Sequence, residues 1–431
     1  MLNTSIDKAQ AAVTLPIEVA RLEEIARETN FIQRRTAGFS GHGFLLSLFK
    51  AIGHGQASFG QMAVNLNQTQ SKSLSRQAVH QRVDESAEEF LKKVILELDY
   101  RAWKKVATNS DHPFNRIIIE DATQLRMHRK NHPHFRAVAN STGATAGAKF
   151  DVINELESGK TLDIKVVEGH VQDRTLGPRL LEQVEPGDLV LRDMGYFDVE
   201  SFAAIEGKQA FWLSRLHAMA GVTLQDGSNL EELLSNTQKN VLDLDVSITA
   251  KRHHLRLIAI KCPQEVADCR RARNKKKRIL NKTNARKQSL VREGWTIYVT
   301  NIGDELFTPS QIHQFYAQRW AIEIRFRAFK GSLHMKKALN RITSASHLRV
   351  LLQAAYIFAQ LTARVTNALA AQWCKSMAEV SIEKVAKWLM ASIGSTQALD
   401  KPLPLDPRHI FMDKRRRPSL AQRLSNIHPL N

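Results

Sequence analysis

At residue 114 the apolar pattern of this chain changes period, and that change restricts the fold more than any other feature. Before it, apolar residues recur at helical spacing, as in GFLLSLFKAI (43–52) and EEFLKKVILEL (88–98), and no strand pattern occurs up to about residue 105. After it come short apolar runs bounded by turn residues: NRIIIED (115–121), AKFDVINELESGKTLDIKVVEGH (148–170) with Ser158-Gly159 as a hairpin turn, GDLVLRDMGY (187–196), AFWLSRL (210–216) and WTIYVTN (295–301). Helical stretches TLGPRLLEQV (175–184) and DVESFAAIEG (198–207) separate some of them. This order predicts a mixed α/β sheet.

Strand-like VLDLDVSITA and HHLRLIAIKC interrupt that pattern between 217 and 292. Thr308 caps a further helix with Pro309 at its first position, and Gly331 is a candidate stop for it. The chain then returns to helical spacing in SHLRVLLQAAYIFAQLTARVTNALAAQW and SIEKVAKWLMASI. Four regions follow: a helical segment over 1–105, an α/β core over 106–216 resumed at 293–340, a β-rich insertion over 217–292, and a helical region over 341–431. In the first, SFGQMAVNL (58–66) and SRQAVHQRV (75–83) each open on a serine N-cap and form a candidate helix-turn-helix.

Charge indicates the class of partner. The 431 residues carry 62 Lys+Arg against 43 Asp+Glu, a net +19, which favours a polyanion through counterion release. Nucleic acid fits better than a membrane, because the most apolar stretch (350–365) is broken by Gln353, Gln360 and Arg364. Asp7 and Lys8 stand where a signal peptide would be apolar, so a cytoplasmic protein is expected. Three cysteines without paired short spacing indicate neither a disulfide framework nor a structural zinc site.

Two acids end strands: Asp121 closes IIIED and Asp193 closes LVLRD, and strand ends line the ligand crevice of an α/β sheet. A third, Glu323, lies in YAQRWAIEIRFRAFK (316–330). On one continuous helix, Tyr316, Arg319, Glu323 and Lys330 fall within roughly 60° of one another around the axis. Three convergent carboxylates repel one another without cations, and oxygen-rich acidic sites suit Mg²⁺ or Mn²⁺. A capping or turn role for each acid is the structural alternative, and Glu120, Asp151, Asp163 and Asp198 show that acids near strands are common here.

The combination of IEDATQL, VLRDMGYF and Y-x2-R-x3-E-x6-K resembles the DDE transposases of bacterial insertion sequences, in the group named for its Tyr-Arg-Glu-Lys signature. The resemblance covers about 114–340 and implies an RNase H-like core with Asp121, Asp193 and Glu323 as the catalytic triad holding two Mg²⁺ or Mn²⁺ ions. It implies nicking at a transposon end, attack of the freed 3′-hydroxyl on the opposite strand to form a hairpin, hairpin opening, and transfer into target DNA. Tyr316, Arg319 and Lys330 would hold DNA phosphates, and Trp295 would stack on a base extruded near the cut, with a core place in strand WTIYVTN as the structural alternative for Trp295. The insertion run RRARNKKKRILNKTNARK (270–287), with ten Lys/Arg and no acid, would contact the DNA backbone through Arg273, Lys275, Lys276, Lys277 and Arg278.

Double-stranded DNA, as terminal inverted repeats and target, is then the partner, bound by a homodimer at the bacterial nucleoid. The helices of 1–105 match the place of an end-recognition domain and those of 341–431 that of a dimerisation region. A DNA-binding regulator that no longer cuts shares this descent, and so does an RNase H-like nuclease without strand transfer. The full set of three acids argues against the first; the second has no need of Tyr316, Arg319 and Lys330.

Overall fold

The computed structural model describes residues 17–33, 39–68, 73–98, 112–140, 143–248, 253–280, 287–319, 326, 338, 339, 342, 344–373 and 380–395. Among them the strands are β1 (Ile117–Met127), β2 (Arg136–Asn140), β3 (Gly143–Glu155), β4 (Thr161–Glu168), β5 (Leu189–Arg192), β6 (Phe211–Arg215), β7 (Val222–Leu224), β8 (Val241–Ile248), β9 (His253–Lys261) and β10 (Trp295–Thr300). The chain forms two compact units. One comprises His112–Asp121 and Gln172–Trp320; the other comprises Met1–Asp111, Ala122–Val171 and Ala321–Asn431. Strand β1 begins in the former, and its residues from Ala122 on belong to the latter.

The unit carrying Asp121 and Asp193 is built on a sheet in the order β1-β5-β6-β10-β9-β8-β7. The β1–β5 and β5–β6 pairs are parallel; every pair from β6–β10 outward is antiparallel. This mixed sheet agrees with the RNase H-like α/β class. Ile117, Ile118 and Ile119 of β1 and Leu189, Val190 and Leu191 of β5 are all buried, as strands covered on both faces require. Helix Val199–Gly207 makes the crossover from β5 to β6, and its Phe202 stacks on Trp212 with centroids 3.9 Å apart. The strands of 217–292 continue the core sheet, since β9 pairs with β10 from Trp295↔Lys261 to Thr300↔Arg256.

The other unit joins strands β2, β3 and β4, paired antiparallel, to helices from both ends of the chain. Gly159 turns the β3–β4 hairpin at φ +68°, a conformation that favours glycine. Helix Ala345–Gln372 is the reason the two ends meet: it is apolar on nearly every side and needs cover all round. Helices Gly41–Gly53, Glu85–Glu97 and Ile382–Ser395 supply that cover, with Phe49 against Phe358, and Phe150 of β3 lies against Tyr356. Terminal segments read from sequence as separate flanking regions therefore share one core in the described residues.

The paired N-terminal helices form as their caps predict. Ser58 accepts from Gln61 N at 3.2 Å and Ser75 from Ala78 N at 3.1 Å. Between helices Phe59–Asn67 and Arg76–His80, Asn67 clamps the connection by accepting from Leu74 N and donating to Leu74 O. No helix among the described residues is long and apolar enough to cross a membrane.

Candidate active site

The last paired positions of the parallel strands are Glu120 on β1 and Arg192 on β5, which face each other in register. Side chains alternate across a sheet, so the next residues, Asp121 and Asp193, leave from the opposite face. Asp193 keeps an extended backbone, φ −74° and ψ 159°, which preserves the alternation beyond the end of β5. Both acids named from sequence are thus brought side by side on one face, Asp193 just past the end of β5 but Asp121 within β1, which runs on to Met127 and does not stop where its apolar run stops.

Between them lies Arg319. Its Nη1 donates to Asp121 Oδ2 at 2.7 Å, and its Nη2 stands 3.7 Å from Asp193 Oδ1. The Asp121 side chain is 13% exposed and that of Asp193 40%, so the pair opens to solvent mainly at Asp193. Two carboxylates and one guanidinium leave a local charge of −1, a hard oxygen-donor set open to a divalent cation. On the fit of its residues, the site can take the metal that the sequence suggested.

Arg319 reaches this position because the helix before it ends early. Helix Pro309–Ala317 starts on a capping box between Thr308 and Gln311 and has Pro309 in its first turn. It closes with Gln318 N donating to Phe315 O and Arg319 N to Tyr316 O, a tightened last turn. The single helix expected to run from 309 to 331 is therefore replaced by a shorter one, and the Tyr316–Arg319 pair does not lie on one continuous described stripe. Glu323 and Lys330 lie outside the described residues, as does Gly331.

Tyr316 is buried, and its hydroxyl donates to the main-chain oxygen of Arg192 at 3.3 Å, next to Asp193. Burial pushes its phenol well above the usual tyrosine range. Beside it, Tyr298 of β10 has its ring centroid 5.1 Å away and its hydroxyl hydrogen-bonded to His313 Nδ1 at 2.8 Å. Burial raises Tyr298 to about 12 and lowers His313 below its ordinary value, which keeps both neutral. These two residues were not marked by any sequence motif; only the alternation of WTIYVTN and the helical period after Thr308 place them on facing surfaces.

Gly195, in the Asp-Met-Gly-Tyr stretch, lies against the Asp173 side chain: a Cβ there would stand 2.8 Å from Asp173 Oδ2, which would have to turn aside. Trp295 departs from the sequence expectation. Its side chain is 5% exposed in the sheet, with Lys261 Nζ 5.9 Å from the ring centroid, so stacking on an extruded base would require the indole to leave its place. A core role explains that burial.

Residues 270–280 of the basic run form the C-terminal part of helix Gln264–Leu280, which has two faces, while 281–286 lie outside the described residues. Ala267, Arg270, Asn274 and Arg278, at offsets of three and four, form the anchoring face. Arg270 donates to Trp295 O at 2.9 Å, while Asn274 and Arg278 meet Glu293 at 3.0 and 3.4 Å. Arg273, Lys275 and Lys276 are exposed; the side chain of Lys277 lies outside the described residues. Arg278 thus has a structural partner that the charge count alone concealed.

Family comparison draws on this same region. The sequence pattern of the transposase DDE domain family matches residues 112–358, over half of the chain and including both aspartates. The chain belongs to this family. The transposase is 26% identical over 343 residues to the transposase for insertion sequence element IS231B of Bacillus thuringiensis subsp. berliner, covering 72% of this chain and 70% of that one. It is 26% identical over 339 residues to the transposase for element IS231C of the same organism, with the same coverage. Over 363 residues it is 21% identical to the transposase for insertion sequence element IS1151 of Clostridium perfringens, covering 77% and 75%. The transposase is accordingly an enzyme that cleaves and transfers DNA strands, and its family uses divalent metal ions.

Proposed function

We propose that this transposase cuts at the terminal inverted repeats of an insertion sequence and inserts the element into target DNA, as a homodimer in the cytoplasm at the nucleoid. The observation that carries this reading is the pair Asp121 and Asp193 on one face of the adjacent parallel strands β1 and β5, within the family match and bridged by Arg319. With Glu323 as third acid, these residues would hold two Mg²⁺ or Mn²⁺ ions. When bound, such ions supply the charge that activates an attacking oxygen and stabilises a leaving one in phosphoryl displacement.

The chain's own groups do the rest. Tyr316 holds the end of β5, which fixes where Asp193 starts. Arg319, here beside both carboxylates, would hold a phosphate next to the cut, and Lys330 another; both roles follow the Tyr-Arg-Glu-Lys signature. Arg273, Lys275 and Lys276 on the outer face of their helix contact the DNA backbone without reading bases. In this reading one site performs nicking, hairpin formation, hairpin opening and strand transfer in turn.

Short inverted repeats flanking the coding sequence supply the substrate for a direct test. Duplexes carrying such an end, incubated with the protein and Mg²⁺, are expected to be nicked and then to yield a hairpin that migrates as a single denatured strand. Binding without a nick under those conditions would show a silent regulator, and nicks without joined products would show a nuclease.

A further inference from the structure

We infer that Glu120 and Arg192 form a buried brace that sets the spacing of the catalytic aspartates, acting as positioning residues on the reverse side of the sheet. Glu120 immediately precedes Asp121, and Arg192 immediately precedes Asp193. The two face each other as the last in-register pair of β1 and β5. Arg192 donates to Glu120 Oε2 from Nε at 3.1 Å and from Nη2 at 2.6 Å. Both side chains are buried, 0% and 1% exposed.

The surroundings are shaped for this guanidinium. Its Nη1 donates to Ser201 Oγ of the crossover helix at 2.6 Å, and its Nη2 to Gly177 O at 3.3 Å. A Cβ at position 177 would stand 2.8 Å from Arg192 Nη2 and would press the guanidinium out of this place. The Tyr196 ring centroid lies 5.8 Å from the guanidinium carbon, on the turn just after Asp193.

A buried ion pair is a weak source of net stability, because desolvation offsets its attraction. What it does impose is geometry. The paired side chains tie β1 to β5 across one register position, and the helix carrying Ser201 ties both to the layer behind. One residue further on, the backbone delivers Asp121 and Asp193 to the other face with a separation inherited from that tie. The two carboxylates repel each other and, with Arg319 reaching Asp193 only at 3.7 Å, would otherwise spread.

This inference rests on the assignment of Asp121 and Asp193 as metal ligands, and its test separates the two. Binding of Mn²⁺ to the full-length protein without DNA is measured by titration calorimetry for wild type, Asp121→Asn, Glu120→Gln and the double variant Glu120→Met with Arg192→Met. The double variant replaces the pair by apolar side chains of similar reach, a change that often leaves stability intact; Glu120→Gln keeps the carboxylate's shape and decides the matter alone should the double variant not fold. Asp121→Asn is expected to lose Mn²⁺ binding, and the brace variants to weaken it by about 10- to 100-fold, the range seen when residues that orient metal ligands are removed. End-DNA affinity should stay near wild type in both, and so should the unfolding temperature of the double variant, whereas Glu120→Gln, which leaves Arg192 charged and unpaired, should unfold at a lower temperature while still folded under the titration conditions. Brace variants that bind Mn²⁺ as wild type does, beside an Asp121→Asn protein that does not, would overturn the brace alone. Retention of Mn²⁺ binding by Asp121→Asn would overturn the metal assignment and the brace with it.

Discussion

Arg319 donates to Asp121 at 2.7 Å, so a guanidinium engages the carboxylate that the proposed function assigns to a metal cation. A unit charge about 4 Å away contributes from about 1 kcal/mol in water to about 4 kcal/mol at the effective dielectric of a protein surface. Removing it should therefore strengthen metal binding. For Arg319→Gln without DNA we expect Mn²⁺ affinity to rise by about tenfold or more, while end cleavage falls because the guanidinium no longer holds a phosphate. Calorimetric titration checks the first effect, and unchanged or weaker Mn²⁺ binding would speak against the counter-ion role.

Tyr316 separates a structural hydroxyl from a DNA-binding one. Its hydrogen bond to Arg192 O is buried, so Tyr316→Phe should cost about 0.5–1.5 kcal/mol of stability in urea unfolding. End-DNA affinity of the folded variant should change less than about twofold if the hydroxyl stays on that carbonyl. Full stability with much weaker DNA binding would return Tyr316 to the phosphate role of the signature.

The helix Gln264–Leu280 divides its charges, and salt dependence can read that division. Replacing exposed Arg273, Lys275 and Lys276 together by Gln should reduce the slope of log affinity against log salt by about 0.9 for each DNA phosphate that is no longer neutralised. Arg278→Gln should leave that slope unchanged and lower stability slightly, because Arg278 is paired with Glu293. Equal slopes for wild type and the triple variant would remove this face from the DNA path.

His347 makes the other unit sensitive to acid. It is 2% exposed and stacks on Phe59 with centroids 4.2 Å apart; burial, with His80 nearby, lowers it to about 4. A histidine depressed in the folded state takes up its proton more readily when unfolded. Its contribution is therefore complete above about pH 6.5 and is lost as pH falls through 4, a change on the order of 3 kcal/mol. Unfolding followed from pH 7 to pH 4 should show that loss in wild type and a clearly smaller one in His347→Phe.

Much of the core was legible from period and punctuation. The runs IIIED and LVLRD became adjacent parallel strands carrying Asp121 and Asp193, although β1 runs on to Met127 where the sequence suggested its end, and Thr308-Pro309 opened its helix as capping chemistry requires. The stop of that helix was not legible, because YAQRWAIEIRFRAFK keeps a helical period that says nothing about a tightened turn at Gln318 and Arg319. Nor could charge alone show that Arg278 is held by Glu293, or that Trp295 is buried in its own sheet. The Glu120–Arg192 pair follows from alternation: two neighbouring strands that each carry a charged residue just before Asp must send the first of those charges to the opposite face.

The most direct test of the account is the rate of Mg²⁺-dependent nicking of an element-end duplex by Asp193→Asn, measured beside wild type and Glu323→Gln at equal end-DNA occupancy. Both variants are expected to bind the end and to nick it at least about a thousandfold more slowly, a loss of about 4 kcal/mol in transition-state stabilisation. Nicking by Asp193→Asn at the wild-type rate would contradict it.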